Sequence, residues 1–264
     1  MPEYLFDFLD ELEYLKDPQR TAIITDIDGT ISEIAPTPQE AHVDEEMRKI
    51  LRKISERYRV LAFISGRPVH EALRMVGVPE AIYVGNHGLE YIINGRYERL
   101  REVDDYLPII RKCAIELKKK TPDENIIFED KGICYSIHYR QCPDPKLTEE
   151  RIMDTLREMP ESRRIRVDHG RMLVELKPPV EYNKGLIVRK IIEESDVSSA
   201  VYLGDDVTDA DAFRELRKLE SEMMIKAASV IVLSEEIPDE IKDSASFYVS
   251  GVPEVLRFFR WLLK

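Results

Sequence analysis

Five carboxylates, one lysine and one hydroxyl stand out by type and position. A short β-rich run, Thr21 to Thr25, ends abruptly in Asp26-Ile27-Asp28-Gly29-Thr30. A second apolar run, Val60 to Ile64, ends in Ser65-Gly66-Arg67-Pro68. A third, Ala200 to Leu203, ends in Gly204-Asp205-Asp206, with Asp209 close behind. Lys184 opens a helical stretch. Ligands of open α/β sheets bind beyond the carboxyl ends of the strands. In a parallel sheet these clusters meet at one edge. So many carboxylates cannot share a small space without a cation, and hard oxygen ligands of this kind favour Mg²⁺. A lysine and a serine hydroxyl beside Mg²⁺ suit a dianionic phosphate. A carboxylate free to attack would form an aspartyl-phosphate, dividing one hard hydrolysis into two easier steps. Phosphate monoesters are among the slowest compounds to hydrolyse unaided, so the strategy is valuable there.

The elements needed to position these groups can be read from the pattern. Pro2 to Lys16 puts Leu5, Phe8, Leu9, Leu12 and Leu15 at helical spacing, which predicts an amphipathic helix. Asp44 to Tyr58 reads as a helix with Asp44 as N-cap. Ala81 to Val84 is a third strand. Strands alternating with helices predict a Rossmann-like parallel α/β sheet covered on both faces. Asn94-Gly95 then joins Leu89–Ile93 to Arg96–Leu100 as a hairpin. From 105 to 179 the order becomes helix, strand, strand, repeated once. Its helices are Leu107–Lys120 and Lys146–Met159; its strands are Ile126–Glu129, Ile133–Tyr139, Ile165–Asp168 and Met172–Lys177. That predicts an inserted α+β domain at 105–179 between two core segments, 1–104 and 180–264. The parallel pattern resumes with Lys184–Glu194, Ala200–Leu203, Thr208–Leu219, Ser229–Leu233 and a last helix, Val252–Leu263.

The order of motifs resembles the haloacid dehalogenase superfamily and, within it, the trehalose-6-phosphate phosphatases. The resemblance spans nearly the whole chain. It is carried by TAIITDIDGTISEI, FISGRP, VGNHGLE, YSIHYR, VELKP, NKG and LGDDVTDADAF. GNHGLE and GDDVTD set this group apart from sucrose-phosphate and mannosyl-phosphoglycerate phosphatases, which usually end in a GDSxND-like motif. The resemblance implies that Asp26 is the nucleophile and a Mg²⁺ ligand. Asp28 would be the general acid and then the base, with its main-chain carbonyl on the metal. Thr30 would position the loop, and Ser65 and Lys184 would hold the transferring phosphoryl group. Asp205 would ligate Mg²⁺, with Asp206 and Asp209 supporting it directly or through water. The inserted domain would be a cap closing over the sugar, since lids exclude water and complete a site. Substrate contacts are expected from the Ser65-Gly66-Arg67 loop, from Asn86, His87 and Gly88, and from Lys131, His138, Arg140, Glu175 and Lys177. Glu175 and Lys177 share a strand parity and hence a face. One departure stands out: Ala210 follows Thr208-Asp209 where the family often has Glu.

Taken singly, each motif has an ordinary explanation. Asp favours turns, a Ser can merely cap a helix, and a Lys at a helix start is usually solvated. A lone His, such as His87 or His138, is more often structural. Arg140 could pair with Asp130 or Glu129. What favours chemistry is the joint order, each motif at the end of an element.

Composition narrows the remaining possibilities. The chain has 264 residues, 43% of them hydrophobic, which suffices for a core and argues against disorder. It carries 39 Lys plus Arg against 51 Asp plus Glu, a net charge of −12. An acidic chain would repel phosphate backbones, so nucleic acid is an unexpected partner. No apolar run reaches the roughly 18 residues of a membrane helix, and the start shows no secretory pattern. Three cysteines, Cys113, Cys134 and Cys142, lack metal-type spacing and read as reduced thiols of a cytoplasmic protein. Charged residues reach 34% while Asn and Gln are scarce, a mix typical of proteins from hot environments. The expected partner is a small sugar phosphate taken up by a monomer. The alternatives are a phosphatase for sucrose 6-phosphate, mannosyl-phosphoglycerate or a hexose phosphate, and a sugar-phosphate sensor with little turnover. A receiver domain phosphorylated on Asp would be about 120 residues long and would lack the insertion.

Overall fold

A computed structural model describes the chain except for residues 36, 38–39, 171, 234–240 and 242. It divides into two compact units, residues 1–98 with 182–264, and residues 99–181. The expected insertion, 105–179, lies inside the second unit.

The first unit is built on one sheet. Its strands are β1 (Glu3–Tyr4), β2 (Thr21–Thr25), β3 (Val60–Ile64), β4 (Ile82–Gly85), β5 (Glu90–Ile93), β6 (Arg96–Arg99), β11 (Ser199–Gly204), β12 (Lys226–Val232) and β13 (Phe247–Val249). Their order is β1-β13-β12-β11-β2-β3-β4-β5-β6. Pairing is parallel from β1 to β4, and β5 runs antiparallel to β4. Every residue of β2, β3 and β11 is buried. This is why they read as unbroken apolar runs rather than as alternating ones. The helices of this unit are α1 (Glu45–Arg57), α2 (Val69–Val76), α5 (Lys184–Ser195), α6 (Asp209–Ser221) and α7 (Val252–Leu262). From β2 the chain moves to β3 and β4 on one side, and later to β11, β12 and β13 on the other. The reversal point therefore lies beside β2, where open α/β sheets bind ligands.

Two expectations for this unit are corrected. The opening stretch is not one amphipathic helix. It is β1 followed by 3₁₀ turns, Leu5–Asp7 and Leu9–Lys16, broken at Phe8. Leu9, Leu12 and Leu15 recur every three residues, which is the 3₁₀ period, and Leu12 and Leu15 are the buried pair. Asp44 precedes α1 in an extended conformation but makes no side-chain cap bond. The hairpin turn follows expectation: Asn94 and Gly95 both have positive φ, 52° and 72°. Edge strand β6 is exposed and charged, which discourages edge pairing.

The second unit has helices α3 (Leu107–Lys120) and α4 (Pro145–Arg157). Its sheet has strands β7 (Ile127–Asp130), β8 (Tyr135–His138), β9 (Arg166–Gly170) and β10 (Leu173–Lys177) in the order β7-β8-β10-β9, all antiparallel. Val174 and Leu176 of β10 and Ile137 of β8 are buried with Ile110, Leu117, Ile152 and Leu156 of the helices. The alternate residues lie on the opposite face. Register places Glu129, Ser136, Glu175 and Asp168 side by side across the four strands. Among the described residues, no helix is long and apolar enough to cross a membrane.

The core of the first unit closes with α7. Phe258 is fully buried and stacks on Trp261, with ring centroids 5.6 Å apart. Phe258→Ala is expected to cost about 3–5 kcal/mol of stability, read from the urea midpoint.

Candidate active site

Register decides where the first unit's chemistry gathers. Thr25 pairs with Leu203 on one side and with Phe63 on the other. The turns that follow β2, β11 and β3 therefore start at nearly the same level. Asp26 extends β2 by one rung, its N–H reaching the Leu203 carbonyl at 2.9 Å.

Lys184 ties two of these turns together. It is the first residue of α5 and is only 2% exposed. Its Nζ lies 2.6 Å from Asp26 Oδ2 and 2.6 Å from Asp209 Oδ1. Asn183 caps the helix, its Oδ1 accepting the Leu186 N–H at 2.9 Å. The helix start is thereby fixed, and with it the lysine's entry point.

Asp209 is saturated as an acceptor. Its Oδ1 takes Lys184 and the hydroxyl of buried Tyr202 at 2.6 Å. Its Oδ2 takes the backbone N–H of Asp205 at 3.0 Å and of Asp206 at 2.8 Å. Asp209 thus folds the loop after β11 and anchors Lys184. Asp206 is half-buried, and its Oδ1 accepts the Val207 N–H at 2.7 Å. Ala210 is buried, so a longer acidic side chain there would need a partner.

The electrostatics follow from this crowding. One oxygen from each of Asp26, Asp205 and Asp209 can be found within 4.8 Å of the others, and all three residues are buried. One ammonium, that of Lys184, contacts two of them, Asp26 and Asp209. Burial raises the pKa of Asp26, Lys184 opposes that rise and Asp209 adds to it. Burial, with Asp26, Asp209 and Asp206, pushes Asp205 up to about 9. Burial disfavours the Lys184 ammonium, but Asp209 and Asp26 outweigh it and hold the pKa high. With all three ionised, three negative charges against one positive would leave an excess that one divalent cation would cancel. Hard oxygen donors of this type fit Mg²⁺. Asp26 and Asp205 are the residues placed to hold it, since the oxygens of Asp209 are already engaged. Among the described residues, Thr30 Oγ1 and Thr208 Oγ1 are buried without a protein hydrogen-bond partner, as fits a polar ligand at these loops. Gly29 has a φ of 76°, and a Cβ there would lie 2.0 Å from Asp205 Oδ2. Only glycine lets the two loops approach so closely.

Asp28 and the loop after β3 complete the edge. Arg67 grips Asp28 with two bonds, Nε to Oδ2 at 2.7 Å and Nη2 to Oδ1 at 2.6 Å. Arg67, expected on the substrate, therefore engages the expected acid. Ser65 is buried, and its Oγ accepts the Arg67 N–H at 3.1 Å. The His87 ring covers Gly66, where a Cβ would come within 2.7 Å of it. Asn86, expected as a sugar contact, directly follows β4. It has no exposed surface, and its amide donates to Glu90 Oε1 at 2.7 Å. Gly88 is likewise buried and packed, since a Cβ there would meet Tyr182 at 2.5 Å.

The remaining expected residues lie in the second unit, and all but Arg140, which follows β8 in a turn, gather on the sheet face away from its helices. Glu175 is 5% exposed. Its Oε1 accepts from Lys131 at 3.2 Å and from Ser136 Oγ at 3.2 Å, and its Oε2 meets Lys177 Nζ at 3.0 Å. Lys177 also pairs with Asp168 at 2.9 Å. His138 Nε2 lies 2.8 Å from Glu129 Oε2. Arg140 is exposed. Sequence reasoning gave no role to Tyr202 or Asp168, met Glu90 only as the end of the GNHGLE motif, and offered Glu129 only as a partner for Arg140. Tyr202 is read as strand core, and only its contact with Asp209 distinguishes it. Asp168 and Glu129 follow once the register is known.

A family model described as "Trehalose-phosphatase" matches residues 24–247. A probable trehalose-phosphate phosphatase D of Arabidopsis thaliana is 28% identical over 277 residues, covering 97% of this chain and 70% of that protein. The C-terminal domain of C. albicans trehalose-6-phosphate phosphatase superposes with a TM-score of 0.79 at 22% identity, covering 99% and 97% of the two chains. A haloacid dehalogenase-like hydrolase from Bacteroides thetaiotaomicron gives a TM-score of 0.64 at 14% identity, covering 92% and 99%. At these identities the two structures bear on the fold alone.

The crowded carboxylates have a pH signature. In metal-free protein, Asp26 and Asp205 hold protons that the unfolded chain would release. Stability from these groups is full below the unfolded carboxylate range and is lost as pH rises through about 7 for Asp26 and about 9 for Asp205. The melting temperature of chelator-treated protein is expected to fall between pH 5 and pH 9, and Asp205→Asn to flatten that fall. A profile identical in the two proteins would contradict the assignment.

Proposed function

The chain belongs to the trehalose-phosphatase family, and from that premise we propose that it hydrolyses trehalose 6-phosphate with Mg²⁺ through an aspartyl-phosphate. As a member of that family it is a phosphoric monoester hydrolase. The observation that supports the finer reading most is the buried Asp26–Lys184–Asp209 contact, with Asp205 beside it.

The chemistry proposed for the chain's own groups runs as follows. Asp26 attacks phosphorus, and the bond from phosphorus to the sugar oxygen breaks. Lys184 lies 2.6 Å from Asp26 and orients its carboxylate. The Ile27 N–H, 2.6 Å from Asp26 Oδ1, fixes the other oxygen. Asp28 gives a proton to the departing sugar oxygen, then takes one from the water that cleaves the aspartyl-phosphate. Both of its oxygens accept from Arg67, so one of those two contacts opens before a proton can sit there. Ser65 and Lys184 provide donors for the phosphoryl oxygens. Bound Mg²⁺ would neutralise the phosphoryl charge and lower the repulsion between Asp26 and its target.

Recognition of the sugar is assigned to the second unit, acting as a cap. Glu175 is a buried acceptor flanked by Lys131 and Lys177. Alternating acceptors and donors suit the hydroxyls of a disaccharide. Lys177 is held protonated: burial disfavours the charge, but Glu175 and Asp168 outweigh it.

The decisive experiment is phosphate release from a panel of sugar phosphates, with Mg²⁺ or with chelator. Trehalose 6-phosphate is expected to give the highest kcat/KM, with turnover lost in chelator. A preference for sucrose 6-phosphate, mannosyl-phosphoglycerate or glucose 6-phosphate would overturn the substrate assignment. Binding without release would point to a sensor. Asp26→Asn is expected to lower kcat by about 10³-fold or more, with the circular dichroism melt retained. Substantial residual turnover would mean that another group attacks.

A further inference from the structure

Glu90 lies at the start of β5 and is 5% exposed. Its Oε1 accepts the Val69 N–H at 2.8 Å and the Asn86 amide at 2.7 Å. Its Oε2 accepts the Tyr97 hydroxyl at 3.1 Å. A buried carboxylate with three donors on it is a built feature, because burying such a charge without them would be costly.

The donors identify what it holds. Val69 is the first residue of α2, and its N–H has no partner within the helix. The preceding residue, Pro68, offers no side-chain cap. Glu90 supplies that cap from a different strand, and its charge complements the helix dipole. Asn86 and His87 both have positive φ, 48° and 56°. Two adjacent non-glycine residues in that region are strained, and such a turn persists only when its surroundings hold it. The Asn86 amide on Glu90 is one such restraint.

This pinned turn is bonded to the phosphoryl-handling loop. The Asn86 N–H reaches the Arg67 carbonyl at 2.9 Å, and the His87 N–H reaches the Ser65 carbonyl at 3.1 Å. The Ser65 N–H returns to the Val84 carbonyl at 2.9 Å. Gly85 leaves no slack, since a Cβ there would lie 2.4 Å from Val69 N. Two loops are thus zipped together, and Glu90 closes both ends of the zip.

We propose that Glu90 is a positioning residue for phosphoryl transfer, fixing the Ser65–Arg67 loop through Val69 and Asn86. It touches neither Ser65 nor Asp28; it sets the backbone that presents Ser65 and the arginine that grips Asp28. The inference rests on the proposed roles of Ser65 and Asp28 but not on the identity of the sugar.

The test uses the full chain with Mg²⁺ and two probes, p-nitrophenyl phosphate for turnover and inorganic phosphate for binding by calorimetry. A loop displaced by about 1 Å costs on the order of 10²-fold in rate. Glu90→Leu is therefore expected to lower kcat 30- to 100-fold (roughly that scale) and to weaken phosphate binding, while Mg²⁺ affinity is retained. Glu90→Gln keeps an acceptor for Val69 and Asn86 and is expected to recover most of the rate. The losses in Glu90→Leu and Ser65→Ala are expected to be strongly non-additive in the double variant. A purely structural role would lower the melting temperature and add to the Ser65 effect. Should Glu90→Leu not fold, Asn86→Ala in the same cycle with Ser65→Ala decides. Unchanged kcat and phosphate affinity in a folded variant, or full additivity, would overturn the proposal. Turnover of p-nitrophenyl phosphate without turnover of trehalose 6-phosphate would refute the substrate assignment and leave this inference standing.

Discussion

Lys184 joins two buried carboxylates, Asp26 and Asp209, with a third, Asp205, beside them, and the arrangement of the first unit follows from that contact. Lys184 can reach Asp26 and Asp209 together only because α5 starts beside the ends of β2 and β11. Asp209 can receive it only because Tyr202 and two backbone N–H groups already orient its carboxylate. A buried ammonium between two carboxylates satisfies its own desolvation, whereas the carboxylates remain in excess. That excess is the basis for proposing a divalent cation here, and it adds to burial, the larger cause, in pushing Asp205 up to about 9.

The same logic separates two kinds of support. Asp209 and Tyr202 build the floor under Asp26. Glu90 and Asn86 hold the wall that carries Ser65 and Arg67. Both supports are buried carboxylates that accept several hydrogen bonds, four at Asp209 and three at Glu90. Networks of this kind rigidify a site when every member is satisfied.

Much of this was legible in the sequence. Continuous apolar runs ending in Asp26, Ser65 and Gly204 located the strand ends, because strands buried on both faces leave no alternation. The helix–strand–strand repeat of the second unit was equally readable. The opening stretch was not, because a three-residue apolar spacing fits either a helix face or a 3₁₀ run. Strands β1 and β13 were too short to register. In the candidate site, residue types singled out Asp26, Asp28, Lys184 and Asp205. They could not say that Asn86 points into the protein, that Arg67 grips Asp28, or that Asp209 is spent on Lys184. Those facts depend on register and on positive φ at Asn86 and His87, which local pattern does not encode. Charge also sorts by unit. Residues 99–181 carry 17 Lys plus Arg against 17 Asp plus Glu, and the rest of the chain 22 against 34. The whole acidic surplus therefore belongs to the unit with the carboxylate cluster, and the unit proposed to meet the sugar phosphate is neutral.

The central claim is that the carboxylate excess around Lys184 is balanced by a divalent cation. Calorimetric titration with Mg²⁺ at pH 8, in buffers of different ionisation enthalpy, tests it most directly. Metal binding to protonated ligands releases protons. Binding is predicted to release about one proton per ion, and Asp205→Asn to abolish most of that release. Binding without proton release, or release unchanged in Asp205→Asn, would contradict the account.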